Sequence, residues 1–259
     1  MQMKITVHSQ SDENMTFTLE GVDVAYANAL RRLMMGEVPT MAIEDVTIFK
    51  NDSVLYDEII AHRLGLVVLK TDLDSYKLTP KGEERIASPE YELKLSLQVE
   101  GPKNVYAKDL LSKDPAVQPV YGDTLLVKLL EGQSLELEAT AVLGTGNTHS
   151  KWSPGLIWYS YEPVIKVNNK LLVDDIRGDY PPQIFAADGT IDVKKISTPQ
   201  LVDACANVHP DVVDITYNTD AFRFTVESFG ALRANDIVLQ AITAFEGQLT
   251  TFEKLVKEL

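Results

Sequence analysis

The last stretch of this chain constrains its fold more than any other. The apolar residues Val238, Ile242, Phe245, Leu249, Phe252, Val256 and Leu259 recur at spacings of 4, 3, 4, 3, 4 and 3. That a/d repeat predicts a helix from about Asn235 to the C-terminus with a narrow apolar seam. A helix lying on its own domain's sheet usually carries a wider stripe, with the flanking positions apolar as well. Here the flanks hold Leu239, Gln240, Thr243, Glu246 and Glu253. The pattern favours a helix that meets another helix, with a second chain as its possible source. Each such side chain gains about 1.5–3 kcal/mol gross on burial. Association costs take back much of that sum, and the remainder suits an obligate dimer better than a transient one.

The rest of the chain reads as mixed α and β. Residues 4–20 predict a hairpin. A helix follows, with Asp23 as its N-cap, Tyr26, Leu30, Leu33 and Met34 on one face, and Gly36 and Pro39 as its stop. Arg31 and Arg32 fall toward its C-terminal end, where the helix dipole favours cations. Residues 41–49 predict a strand, Asp57 to Arg63 a short helix, and 71–90 a polar loop punctuated by Pro80, Gly82 and Pro89. The run YELKLSLQVE alternates Leu93, Leu95, Leu97 and Val99 with polar residues, as a half-buried strand does. Two strands joined at Glu131–Ser134 come next, then the loop GTGNTHSKWSPG and a strand at 159–167. Residues 168–220 are broken by prolines, and FRFTVES predicts one more strand before the final helix.

Composition narrows the function. The 24 Lys and Arg against 38 Asp and Glu give a formal charge of −14. Such a field repels phosphate, which argues against nucleic acid as the main partner of this chain alone. The N-terminus has no apolar core of signal-peptide length, and no apolar run approaches the roughly 20 residues of a membrane span. The expected location is the cytoplasm. The single cysteine, Cys205, excludes an internal disulfide and an all-cysteine metal or iron–sulfur site.

No catalytic constellation stands out. The glycine-rich loop Gly144–Thr145–Gly146 meets neither phosphate-loop pattern, and reads as a surface loop or a loop that docks on a partner. The four histidines, His8, His62, His149 and His209, lack metal-ligand spacing. The pairs Asp72/Asp74 and Asp174/Asp175 could bind a cation, but such pairs are more often solvated turns. Cys205 lies in the apolar-leaning run LVDACANV and reads as a buried thiol.

The run AYANALRRLMMGEVPTMAIEDVTIF, continued by NDSVLYDEIIAHRLGLVVLKTD, resembles the D-type subunits of archaeal DNA-directed RNA polymerase, relatives of the bacterial polymerase α N-terminal domain. The likeness extends through GTGNTHSKWSPG to the final helix and so covers nearly the whole chain. It implies a non-catalytic scaffold, and the lone Cys205 adds the expectation of no cofactor. This scaffold would pair with a smaller α-like partner of the L type and carry the two large catalytic subunits and small adaptor subunits. DNA would be met only through the complex.

On this resemblance Tyr26, Leu30, Leu33 and Met34 join Val238, Ile242, Phe245, Leu249, Phe252 and Val256 at the heterodimer interface. Arg31, Arg32, Asp57, Glu58, His62, Arg63, Lys151 and Trp152 match positions that face the large subunits. An internal salt bridge is an equal reading for the carboxylates and Arg63. Val68 stands where the family usually has proline, which should loosen a turn.

The implied fold is α+β and discontinuous. An α-subunit-like dimerisation domain uses residues 1–45, 154–168 and 221–259. A mostly β domain is inserted at 46–153, and a degenerate ferredoxin-like segment at 169–220. Relatives often carry four cluster cysteines in that segment. The corresponding positions here are Pro199, Val202, Cys205 and His209, and Tyr180 takes another cysteine's place before Pro181. The expectation is an insert held by its own packing, with no metal. A redox or electron-transfer module is the rival reading, and a nucleotide-binding enzyme using the Gly144–Gly146 loop is a third.

Overall fold

The structure is a computed structural model that describes residues 2–80 and 87–258. Gly82, among the loop's punctuating residues, and Leu259, the last seam position, lie outside the described residues. In chain order the elements are β1 (Lys4–Gln10), β2 (Asn14–Glu20), α1 (Val24–Gly36), β3 (Pro39–Asn51) and α2 (Asp57–Gly65). Then come β4 (Glu92–Glu100), β5 (Lys103–Tyr106), β6 (Leu111–Ser112), β7 (Leu125–Leu129) and β8 (Ser134–Thr145). Last are β9 (Gly155–Val167), α3 (Asp174–Arg177), α4 (Pro199–Cys205), β10 (Val213–Ser228) and α5 (Ala234–Lys257).

These elements form an α+β fold of antiparallel character. One four-stranded sheet has the order β1-β2-β10-β9, a second the order β3-β8-β4-β6, and β5 pairs with β7 alone. In the second sheet β3 and β8 run antiparallel from Pro39↔Thr145 to Asn51↔Leu135, with bulges between Ile43 and Asp45 and between Ile48 and Lys50. A bulge puts two residues against one and turns the strand. Strand β4 pairs β8 from Glu92↔Val142 to Glu100↔Ser134. Its alternation works as a half-buried strand should: Leu93, Leu95 and Leu97 are buried, while Lys94 on the other face reaches Glu138 at 2.8 Å.

By backbone packing the chain divides into two compact units. The larger comprises Val7–Phe17, Asn28–Trp158 and Thr225–Leu259. Its main core joins Met41 and Ile43 of β3, Ile60 and Leu64 of α2, the leucines of β4, and Leu135 and Leu137 of β8. The smaller unit comprises Met1–Thr6, Thr18–Ala27 and Tyr159–Phe224. Within it Tyr180, Ile184, Ile191, Ile196, Val202, Cys205, Val212 and Val213 make a separate core. Also in this unit, the Arg223 guanidinium grips Glu162 through both Nε and Nη2, and Thr18 donates to Glu162 at 3.0 Å.

One local expectation changes. Helix α1 continues to Gly36, so Arg31 and Arg32 lie ahead of its last turn, which contains no basic residue. The 71–90 loop is anchored at its start. Lys70 N donates to Gln118 O at 2.9 Å and Met41 N donates to Thr71 Oγ1 at 2.9 Å. Val68 belongs to the same tied segment, its carbonyl accepting from Val120 N at 2.9 Å.

Candidate subunit interface

Helix α5 has 24 residues, about 36 Å at 1.5 Å per residue. Its own chain buries Ala234, Ile237 and Ala241 near its start. These residues lie on a face adjacent to the heptad seam. Val238 and Phe245 of the seam are half-buried, while Ile242, Leu249, Phe252 and Val256 are exposed, Phe252 to 66%. Every residue from Glu246 to Glu258 is exposed. Thr243, Thr250 and Thr251 each donate to the carbonyl four residues back, which adds no stability to a helix, and the local support of α5 is the Lys257–Glu253 pair at 2.6 Å. Such contacts are worth a few tenths of a kcal/mol, and helical stability in proteins comes mostly from a packed apolar face.

A groove of about 670 Å³ lies beside this helix, walled by Pro39, Leu78, Ala244, Gly247, Phe252 and Leu255. Helix α1 contributes differently. Asp23 caps it, accepting from Tyr26 N at 2.8 Å. Tyr26 is half-buried, but Leu30, Leu33 and Met34 are already buried in the chain itself.

The charged candidates also separate by placement. Arg32, Asp57, Glu58 and His62 are exposed. Arg31 is half-buried and donates to Asn28 Oδ1 at 3.0 Å. Asp57 accepts from Asn51 Nδ2 at 2.7 Å, and Arg63 donates from Nη1 to Leu126 O at 2.7 Å. Lys151 is largely buried: Nζ donates to Ile43 O at 2.8 Å, pairs with Glu44, and sits 4.4 Å from the Trp152 ring centre. Trp152 is buried with Ala42 and Val142, its indole N–H donating to Val142 O at 3.2 Å. Trp152 is not presented on the surface of the free chain, and Lys151 is held against β3 through Ile43 and Glu44.

The glycine-rich loop is a lock on its own unit. Asn147 donates from its backbone N–H to Gly36 O at 3.1 Å and from Nδ2 to Glu37 Oε1 at 2.7 Å. A Cβ at Gly146 would meet Met35 O at 2.1 Å, so the glycine is there for close approach to the end of α1. Among the described residues no group of three or more His, Cys, Asp or Glu could hold a metal ion. A cleft of about 600 Å³ is rich in carboxylates, among them Asp12, Glu13, Asp72, Asp74 and Asp236. Asp72 spends its oxygens on Asp74 N, Ser75 N and Ser75 Oγ, which makes the 72–75 segment a turn. Asp175 is exposed, and the side chain of Asp174 lies outside the described residues.

In the smaller unit Cys205 is fully buried, and burial pushes its thiol above the usual range. Val202 is buried beside it in the same core, Pro199 is exposed, and His209 Nε2 meets Asp179 Oδ2 at 2.8 Å. No helix among the described residues is long and apolar enough to cross a membrane.

Helix α5 is thus anchored at its start and exposed from Glu246 onward. The RNA polymerase Rpb3/Rpb11 dimerisation domain matches residues 16–249. The chain belongs to this Rpb3/Rpb11 family. Among its relatives, the DNA-directed RNA polymerase subunit Rpo3 of Methanosarcina acetivorans is 35% identical over the full length of both chains. Rpo3 of Methanosphaera stadtmanae is 34% identical over 91% of this chain and 92% of that one. Rpo3 of Pyrococcus horikoshii is 46% identical, with the match spanning 65% of this chain and 63% of its relative. These Rpb3/Rpb11-type relatives are polymerase subunits, which gives the redox reading no support.

The comparisons leave individual residues unassigned. The exposed apolar side chains Val54, Tyr56 and Ile59, beside the Asp57–Arg63 block, were missed from the sequence as surface features. Their mixed apolar pattern there carried no periodicity that separates core from surface.

Proposed function

We propose that this chain is the Rpo3-type, or D-type, component of an archaeal DNA-directed RNA polymerase, acting in the cytoplasm as a scaffold without an active site of its own. The exposed seam of α5 carries this reading. It would pair with the smaller α-like partner of the L type through Val238, Ile242, Phe245, Leu249, Phe252 and Val256. Tyr26 of α1 would join them. Leu30, Leu33 and Met34, already buried, would hold α1 in shape behind that contact. Burying Ile242, Leu249, Phe252 and Val256 at about 1.5–3 kcal/mol each outweighs the weak local support of the helix.

The heterodimer would then carry the large catalytic subunits and small adaptors. Arg32, Asp57, Glu58 and His62, all exposed, would meet them directly. Arg31, Arg63, Lys151 and Trp152 would shape that platform from beneath, since each already has partners in the chain. Within this reading residues 1–45, 154–168 and 221–259 serve dimerisation. Residues 46–153 form the inserted β-rich domain, and 169–220 the ferredoxin-like insert, needing no metal. DNA is met through the assembled enzyme, consistent with a chain of charge −14.

Co-expression with the small α-like subunit tests the reading. A stable 1:1 complex is expected from the wild-type chain, and Phe245→Asp, which places a charge in the seam, should prevent it. A chain that stays monomeric and shows no affinity for that subunit would sink the proposal.

A further inference from the structure

The loop Asn51–Asp57 carries exposed apolar side chains on a tightly held backbone. Val54 and Tyr56 are the most exposed large apolar side chains among the described residues, at 82% and 79%. Yet the loop that carries them is tightly held. Asn51 donates from Nδ2 to Leu55 O at 2.9 Å and to Asp57 Oδ1 at 2.7 Å, and its Oδ1 accepts from Ser53 N and Ser53 Oγ at 3.0 and 2.7 Å. Leu55 N donates to Ser53 Oγ at 3.2 Å. Asp52 fastens the loop to the start of β8. Its N–H donates to Ser134 O at 3.0 Å, and Ser134 Oγ donates to Asp52 Oδ2 at 2.8 Å. Between the two exposed side chains Leu55 turns inward and packs on the main core, and the carbonyl of Tyr56 accepts from Ile59 and Ile60 to start α2.

Side chains exposed because a loop is loose gain little from meeting a partner, since ordering costs offset the contact. Here the backbone is ordered already, so burying Val54 and Tyr56 would carry a smaller entropic penalty. Tyrosine in such a position is a typical hot-spot residue. Ile59, 44% exposed, stands one turn further on. The surrounding charge defines what fits. Lys50 is matched by Asp52 at 3.2 Å, while exposed Asp57 and Glu58 occupy the first turn of α2. A partner must therefore offer an apolar pocket rimmed by Lys or Arg.

We infer that Val54 and Tyr56 are preorganised anchors for a protein surface of that chemistry on a large polymerase subunit, continuous with the contact proposed for Asp57, Glu58 and His62. The inference rests on the scaffold reading and names the apolar centre of its docking face. The rim charges select the partner and its orientation, and the two anchors supply the hold.

The test uses the full chain paired with its small α-like subunit, titrated with purified large subunits of the same polymerase at fixed salt. Val54→Ala combined with Tyr56→Ala should leave the melting temperature and the pairing with the small subunit unchanged, because both side chains already sit in water and Tyr56 makes no side-chain cap to α2 that alanine would remove. It should weaken capture of the large subunits about 30-fold, the scale of a hot-spot loss. Tyr56→Phe keeps the ring and should stay within about threefold of wild type. Wild-type capture by the double variant overturns the inference and leaves the scaffold reading intact. Absence of capture by the wild-type chain overturns both. Self-association of the chain abolished by the double substitution would make a second copy the occupant and likewise overturn it.

Discussion

Trp152 fills the space in front of Gly144: a Cβ at position 144 would stand 2.3 Å from Cε2 of the indole. The ring has nowhere to retreat, since it is packed with Ala42 and Val142 and tied through its N–H to the Val142 carbonyl. Gly144→Ala should therefore cost about 1–3 kcal/mol through overpacking, read as a lower urea midpoint at unchanged slope. Gly247→Ala is the contrast. A Cβ there meets nothing within 4 Å, so replacing a helix-interior glycine should add up to about 1 kcal/mol in the free chain.

The two faces of α5 should respond oppositely to charge. Ile237 is buried, and Ile237→Asp should unfold the chain or lower its stability by several kcal/mol, at about the scale of an unpaired buried charge. Phe252 is 66% exposed, so Phe252→Asp should leave the denaturation curve of the isolated chain in place while abolishing the complex with the small subunit. Equal destabilisation of the isolated chain by both substitutions would refute the assignment of the two faces.

Tyr76 predicts an alkaline limit to stability. Burial, the hydrogen bond to Asp114 at 2.8 Å and the charge of that carboxylate all push its phenol well above the ordinary value of 10.0. The folded chain then keeps a proton that the unfolded chain releases. The corresponding stabilisation is complete below about pH 10 and is lost as pH rises beyond it. Tyr76→Phe should cost about 1 kcal/mol at pH 7, with the gap from wild type narrowing above pH 10. Denaturant titrations of both chains at pH 7 and above pH 10 measure it.

The Glu162–Arg223 pair predicts coupling in the smaller unit. Both side chains are about a quarter exposed, so the pair is only partly screened, and Arg223 Nη1 also donates to Ser197 O at 3.2 Å. Glu162→Ala leaves the guanidinium without its carboxylate, at a cost of about 1–3 kcal/mol. Glu162→Ala, Arg223→Ala and the double variant should show a coupling energy of at least about 0.5 kcal/mol. Additive effects would mean that the pair contributes only as two independent side chains.

Periodic features were legible in the sequence because their signal is local. The alternation of Leu93, Leu95 and Leu97 identified β4, and the 4-3 spacing of Val238 to Val256 identified the helix α5 with its seam. Ile237 and Ala241 were not read as the face that anchors α5, because they adjoin the seam and only tertiary packing distinguishes the two. Trp152 looked like a surface residue until the pairing of β3 with β8 brought Ala42 and Val142 together around it. Val54 and Tyr56 are exposed because Asn51 and Asp52 bend the loop through hydrogen bonds that no apolar pattern records.

Cys205 offers a direct probe of the smaller unit. It is the chain's single cysteine, fully buried among Tyr180, Ile184 and Val202, and burial disfavours its thiolate. Attack on a disulfide reagent requires the thiolate and access to it, so labelling in the native state must pass through local opening around α4. At pH 8 the native chain should react at least about 100-fold more slowly than the chain in denaturant, and release one equivalent on unfolding. The rate in water then reports the opening free energy of this core separately from that of the larger unit. Reaction equally fast in the folded and unfolded chain would contradict the packing of Cys205. Slow native labelling that speeds up in the Arg223→Ala variant would show that the guanidinium, through Ser197, helps hold this core closed.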